Sequence, residues 1–357
     1  MRFRAGSAVM KAATAALLAA TLTYAPSQAQ RGLGRPHTPI LIERQGSFAA
    51  GGTSSGDATS SSACDHGYVE YQIPAKPKTV GLFLWHSSST ATWQNRWDGG
   101  EGFQSIFLRR RYPTYLWDGP RVGRATASCT DVQTNARSGQ DQASFMAWRF
   151  GPTYRNWYPD VQFPVNDAEA WNQAIRARYE EFDSVDNIRL QAHAAAAAFK
   201  RTGPVVLVTN SAAGVRAMLA AIESDQVKAI VAYESVGFVL PDTEDKGAPP
   251  GPYGPIYVTA AQFGKLARIP MQFVWGDHLD QPRGPQMALP TNRRFVELIN
   301  RQGGQAEIVE LAKAGLKGNT HLPFADLNNV AVADLMERFL QRHDLARQAP
   351  ATTRRSF

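Results

Sequence analysis

Hydrophobic and polar positions along this chain repeat with two periods, one belonging to strands and one to helices. Val205 to Val208 are consecutive apolar residues, and from Ala212 onward the chain is rich in Ala, Leu and Met at helical spacing. A short continuous apolar run followed by such a segment predicts a strand buried on both faces and then a helix. The same strand signature recurs at Thr79 to Trp85, Thr114 to Trp117, Ala229 to Tyr233, Met271 to Trp275 and Ala306 to Leu311. Between these runs the spacing predicts helices over 102–111, 188–200, 290–301 and 324–345. Tyr68 to Ile73 alternates and predicts an opening antiparallel strand, closed by a turn at Pro74 to Pro77. Strands alternating with helices in this way predict an α/β fold, a mostly parallel sheet with helices on both faces.

Segments outside that rhythm divide the chain. Met1 to Ala29 carries Arg2, Arg4 and Lys11, an apolar run from Ala12 to about Leu22, and Ser27-Gln28-Ala29 as a small-x-small cleavage site. This predicts a signal peptide over 1–29 and a secreted or periplasmic protein, because the apolar run is shorter than the ~20 residues a spanning helix needs. Residues 30–65 are rich in Gly, Ser and Thr around an alternating stretch from Ile40 to Glu43, which predicts a peripheral strand in a flexible N-terminal segment. The main domain is expected over 66–345, with a disordered tail over 346–357. Within it, residues 125–185 lose the strand–helix rhythm and gather aromatics, among them Phe145, Trp148, Phe150, Trp157 and Trp171. They predict either a cap over an apolar pocket or a packed subdomain.

Composition narrows the function classes. With 357 residues, 43% of them hydrophobic, the chain can bury a large core. The formal charge is +7, and removal of the three leader cations leaves 35 Lys and Arg against 31 Asp and Glu, or +4. That balance, with no basic face interleaved with aromatics, argues against a nucleic-acid partner. The two cysteines, Cys64 and Cys129, have no metal-ligand spacing and in an exported protein are expected to pair. No histidine pair has zinc spacing, so neither a metal nor a cofactor is expected.

Candidate chemistry sits where strands end, since open α/β sheets place their sites at the carboxyl ends of strands. Ser211 stands between a buried strand and a helix with small neighbours, as in a nucleophile elbow, although Thr209 and Ala213 occupy the usual glycine places. A serine there also suits a helix N-cap. Glu234 ends the next strand, and His321 precedes the last helix, giving the order Ser, acid, His. A serine hydroxyl needs an imidazole to take its proton, and the imidazole needs a carboxylate to fix its tautomer. Asp277 and Asp280, after the strand at Met271 to Trp275, compete for the acid's role, with Glu234 favoured. The loop His86-Ser87-Ser88-Ser89 follows a buried strand and offers backbone donors from Ser87 or Ser88, beside that of Ala212, for an oxyanion hole.

The chain resembles a group of secreted bacterial esterases of the α/β-hydrolase superfamily, with a Ser-Glu-His triad and a His-Gly-Cys-Cys oxyanion loop. The matches run from Tyr71-Gln72-Ile73-Pro74 through Arg149-Phe150-Gly151-Pro152, Gln162-Phe163-Pro164-Val165, Asn210-Ser211-Ala212-Ala213-Gly214, Glu234 and Gly276-Asp277-His278 to Gly318-Asn319-Thr320-His321. The resemblance implies Ser211 as nucleophile, Glu234 as acid and His321 as base. Here Ser87-Ser88-Ser89 replaces the loop's Gly-Cys-Cys, and Asn210 and Ala212-Ala213 replace residues of the His-Ser-Gln-Ser-Gly elbow. The expected partner is a small-molecule ester, with homodimer formation left open. A lactonase, thioesterase or peptidase on the same residues, or an inactive binding protein of the same fold, are the rival expectations.

Overall fold

The computed structural model describes residues 38–350 apart from 88, 133–134, 180–181, 183, 245–252 and 281–284. The chain opens with a long antiparallel hairpin, β1 (Ile42–Gly56) and β2 (Ser61–Pro74), then runs through β3 (Gly81–His86), α1 (Ala91–Gln94), α2 (Phe103–Arg109) and β4 (Thr114–Asp118). The aromatic-rich insertion supplies α3 (Gln140–Ala147) and α4 (Ala168–Arg176). Next come α5 (Val185–Thr202), β5 (Val205–Asn210), α6 (Ala213–Glu223), β6 (Val227–Tyr233), β7 (Phe238–Pro241) and β8 (Pro255–Val258). The chain finishes with α7 (Ala260–Leu266), β9 (Met271–Trp275), α8 (Pro285–Arg301), β10 (Ala306–Glu310) and α9 (Asn329–Arg342).

Eight strands form one sheet in the order β1-β2-β4-β3-β5-β6-β9-β10, and β7 pairs with β8 in a small parallel sheet of its own. β2 runs antiparallel to β1 and β4, while the pairs from β4 to β10 are parallel. Side chains alternate across a strand, so each central strand feeds two cores. Val205 and Leu207 of β5 pack with α5, α6, α7 and α8, whereas Val206 and Val208 pack with α2, α9 and the insertion. Residues on both faces of β5 are buried, which is why the strand reads as an unbroken apolar run.

Two boundaries differ from the sequence reading. The stretch expected to be flexible up to residue 65 forms β1 and the start of β2, paired residue by residue as far as Gly56 opposite Ser61. Its outer arm is exposed on both sides, so no burial pattern marks it in the sequence; ladder hydrogen bonds hold it, and the Asp57 carboxylate ties the turn by accepting from the amides of Thr59 and Ser60. The tail expected to be disordered from 346 is tied down as far as its described part goes. The Thr79 amide donates to the Arg347 carbonyl, and the Ala349 amide to that of Pro77. The signal-peptide expectation over 1–29, and residues 351–357, lie outside the described residues. Cys64 and Cys129 form a disulfide that joins β2 to the start of the insertion.

Candidate active site

The candidate residues converge because their strands are neighbours. Ser211 follows β5 and Glu234 follows β6, the adjacent strand, so both leave the sheet at the same edge. Ser211 has φ 56° and Glu234 φ 52°, left-handed values that non-glycine residues adopt rarely and that concentrate at functional sites. For Ser211 this disposes of the N-cap reading, since Ala212 occupies the cap position of α6 and the serine lies in the tight turn before it. The turn also needs Gly214: a Cβ there would lie 2.0 Å from Ser235 Oγ.

Asn210, the last residue of β5, binds the converging segments together. Its side-chain amide donates to the Tyr233 carbonyl at 3.2 Å and to the His321 carbonyl at 3.0 Å. The His321 amide in turn donates to the Trp148 carbonyl at 2.9 Å, and the two rings lie parallel within 9°. Five residues after the histidine, the Asp326 carboxyl reaches back to accept from the Thr320 amide at 2.7 Å, the Thr320 hydroxyl at 2.8 Å and Asn319 Nδ2 at 3.0 Å. Burial, the largest influence on Asp326, pushes its pKa up to about 7 against those hydrogen bonds.

Glu234 Oε2 lies 3.4 Å from His321 Nδ1. The other oxygen, Oε1, accepts from Arg149 Nη2 and from the Gly276 amide, each at 2.5 Å. Burial is the largest single influence on Glu234 and opposes ionisation, but Arg149, then His321 and the Gly276 amide, together outweigh it. They hold the carboxyl below its usual range, so Glu234 is ionised. Asp277 is employed elsewhere: its Oδ1 accepts from the His278 amide at 2.7 Å and its Oδ2 from the Gly318 amide at 2.9 Å. Asp280 accepts through its backbone carbonyl from Gln286. The structure thus brings Glu234, and neither aspartate, to the histidine.

The sequence reading met Arg149 only inside a matched segment and gave it no role. It follows α3 in the insertion, has φ 60°, and its side chain is wholly buried between Glu234 and the Asp277 carbonyl, to which Nε donates at 2.7 Å. The available signal was an arginine inside an aromatic cluster that offers it no water, which calls for a buried acid. The surrounding aromatics do pack as a subdomain: Phe145, Phe150, Phe163 and Trp171 are buried against one another. Trp148, only partly buried, is the one of these rings that also lines the cavities beside Ser211.

Ser211 and His321 stand on the walls of two adjoining cavities, of about 250 Å³ and about 550 Å³. Ser87 and Ala212 line the smaller one beside the serine, and Ser88 lies outside the described residues. The Ser87 carbonyl accepts from Arg216 Nη1 of α6 at 3.3 Å. His86, at the head of this loop, accepts from the Ser89 amide through Nδ1, and burial, reinforced by His321 and Arg216, pushes its pKa down to about 3. It is a neutral scaffold for the loop. Asp160, Asp277 and His278 are the one group of His, Cys, Asp or Glu among the described residues close enough to hold a metal ion, and the Asp160–His278 hydrogen bond and the stacking of His278 on Tyr158 already account for it.

With 25% sequence identity, a bacterial esterase of known structure superposes with a TM-score of 0.71, over 87% of this chain and 99% of that one. The chain has the α/β-hydrolase fold. A probable secreted lipase from Fungal sp. (strain ATCC 74256) is 24% identical over 322 residues, 77% of this hydrolase-fold chain and 85% of the relative. No family model matches the sequence. No helix of the described α/β-hydrolase residues is long and apolar enough to cross a membrane.

Proposed function

We propose that the protein is a secreted serine esterase that cleaves carboxylic esters through an acyl-enzyme. The observation that carries this reading is the Glu234–His321 hydrogen bond on the wall that also holds Ser211 in its left-handed turn. The bacterial esterase and the probable lipase support the ester as substrate class.

In this reading His321 Nδ1–H donates to ionised Glu234, which leaves Nε2 unprotonated to accept the Ser211 proton as Oγ attacks the ester carbonyl. The tetrahedral oxyanion is held by the Ala212 amide and an amide of the Ser87–Ser88 loop. His321 then protonates the departing alkoxide, and the same groups activate water to release the acid. Export follows from the leader and agrees with the disulfide, which persists in oxidising compartments.

Ser211→Ala is expected to lower kcat on a short aryl ester by a factor on the order of a million, as removal of a triad serine does elsewhere. A fluorophosphonate should label the native protein and spare this variant. Near-normal turnover by the variant, or failure of the native protein to react, would overturn the assignment. The second outcome is the one expected of an inactive binding protein.

A further inference from the structure

The residue before the candidate nucleophile makes bonds that its strand does not need. Asn210 ends β5 opposite Tyr233 of β6, and a ladder uses only backbone groups. Its side chain is wholly buried, and Nδ2 donates to the Tyr233 carbonyl at 3.2 Å and to the His321 carbonyl at 3.0 Å. The Tyr233 carbonyl, one residue before Glu234, also accepts from the Ser211 amide at 3.0 Å. Among the described residues, Asn210 Nδ2 is the one donor that reaches the His321 carbonyl. A single side-chain amide therefore joins all three candidate segments, since it adjoins the serine and holds both the histidine and the neighbour of the acid. Its other end is idle: Oδ1 is buried with no hydrogen-bond partner among the described residues. A buried acceptor left unpaired is destabilising, so this side chain is a poor choice for folding alone.

Resting on the esterase reading, we propose that Asn210 is a positioning residue, which sets the His321 ring between Glu234 and Ser211 by holding the histidine's own carbonyl against the end of β6. The contact it protects has little slack. Glu234 Oε2 and His321 Nδ1 are 3.4 Å apart, at the long end of the hydrogen-bond range, so a small drift of the histidine backbone breaks it. The His321 amide is tied to the insertion, through the Trp148 carbonyl, whereas Asn210 ties the His321 carbonyl to the strands that carry the serine and the acid. Misplacing a catalytic group by about 1 Å can cost about 100-fold in rate.

A double-mutant cycle on a short aryl ester tests this, with Asn210→Leu, Glu234→Gln and the two together. Asn210→Leu keeps the branched shape and removes the donors. It should lower kcat by about 100-fold per mole of folded enzyme, with the folded fraction read from near-ultraviolet circular dichroism and KM within a few-fold of native. In the Glu234→Gln background the same change should cost less than about tenfold, because the charged contact that Asn210 positions is already gone. Should Asn210→Leu not fold, Asn210→Thr, which suits a strand, runs the same cycle. Equal fold-losses in the two backgrounds, or a native kcat per folded molecule, overturn the proposal and leave the esterase reading intact, since a purely structural asparagine changes only the amount of folded enzyme or adds its loss independently. If Glu234→Gln turns over like the native protein, the assignment of the acid fails and this proposal with it. If the native protein neither hydrolyses the ester nor takes the fluorophosphonate, the esterase reading itself fails, and the proposal falls with it.

Discussion

At the scale of single residues, Glu234 divides its two oxygens between an arginine and a histidine, and that division makes separable predictions. Glu234→Gln should impair turnover by up to ~10⁴, the loss seen when a triad acid becomes its amide. Asp280→Asn should stay within a few-fold, because that side chain does not reach His321, and thermal melts run on both variants exclude unfolding. Arg149→Met removes the counter-ion of a buried carboxylate, a loss that typically destabilises by about 3–5 kcal/mol. Burial then acts on Glu234 with less opposition, so its pKa rises, and the acid limb of the kcat/KM profile should move to higher pH. Arg149→Lys should restore part of that profile, whereas a purely structural role would lower the amount of folded enzyme without moving the limb. Of these residues Glu234 was legible, because a buried strand has no bland reason to end in an acid. Arg149 was not, because its partner lies 85 positions away and only the fold brings them together.

At the scale of elements, the loop that carries the histidine is braced by one carboxyl group, and the brace titrates. Asp326 has its folded pKa raised from 3.8 to about 7, so the folded protein binds the proton more tightly than the unfolded chain does. The sign follows: its contribution to stability is fully present below 3.8 and is lost as pH rises through about 7. Asp326→Asn removes this titration while keeping the shape. The variant should therefore gain in Tm relative to the native protein as pH rises through that window, by about 3 °C or more, read from melts at a series of pH values. A Tm difference that stays constant with pH would show that Asp326 is not protonated in the native state. Periodicity announced the central strands β3, β5, β6 and β9 and the helices over them because they are buried on both faces or one. It missed the outer arm of the β1–β2 hairpin, where Ser, Thr and Gly face water on both sides, and it missed β7 and β8, which are too short to show a period. The insertion was visible as an aromatic cluster but its packing was not, since ring-to-ring contacts leave no spacing rule in the sequence.

At the scale of the whole molecule, a disulfide and a buried ion pair are among the ties that fix the insertion to the sheet. The Cys64–Cys129 disulfide closes a loop with a sequence separation of 65, and chain entropy puts its contribution at roughly 4 kcal/mol. A Cys64→Ser, Cys129→Ser double variant should show a clear fall in Tm, and reduction of the native protein should reproduce it; equal melting of native and variant protein would mean that the hairpin and the insertion hold together without the bond. The second tie is Arg149, which leaves the insertion to reach the acid behind the histidine. Insertions of this kind are commonly treated as interchangeable visors, to be swapped between enzymes in search of new specificity. Here such an exchange would take a charge out of the proposed catalytic centre along with the visor, and the graft would inherit a glutamate left with His321 and the Gly276 amide alone to favour its ionisation against burial. On the proposed triad, the segment that walls the cavities also supplies the counter-ion of the acid, and neither can be redesigned alone.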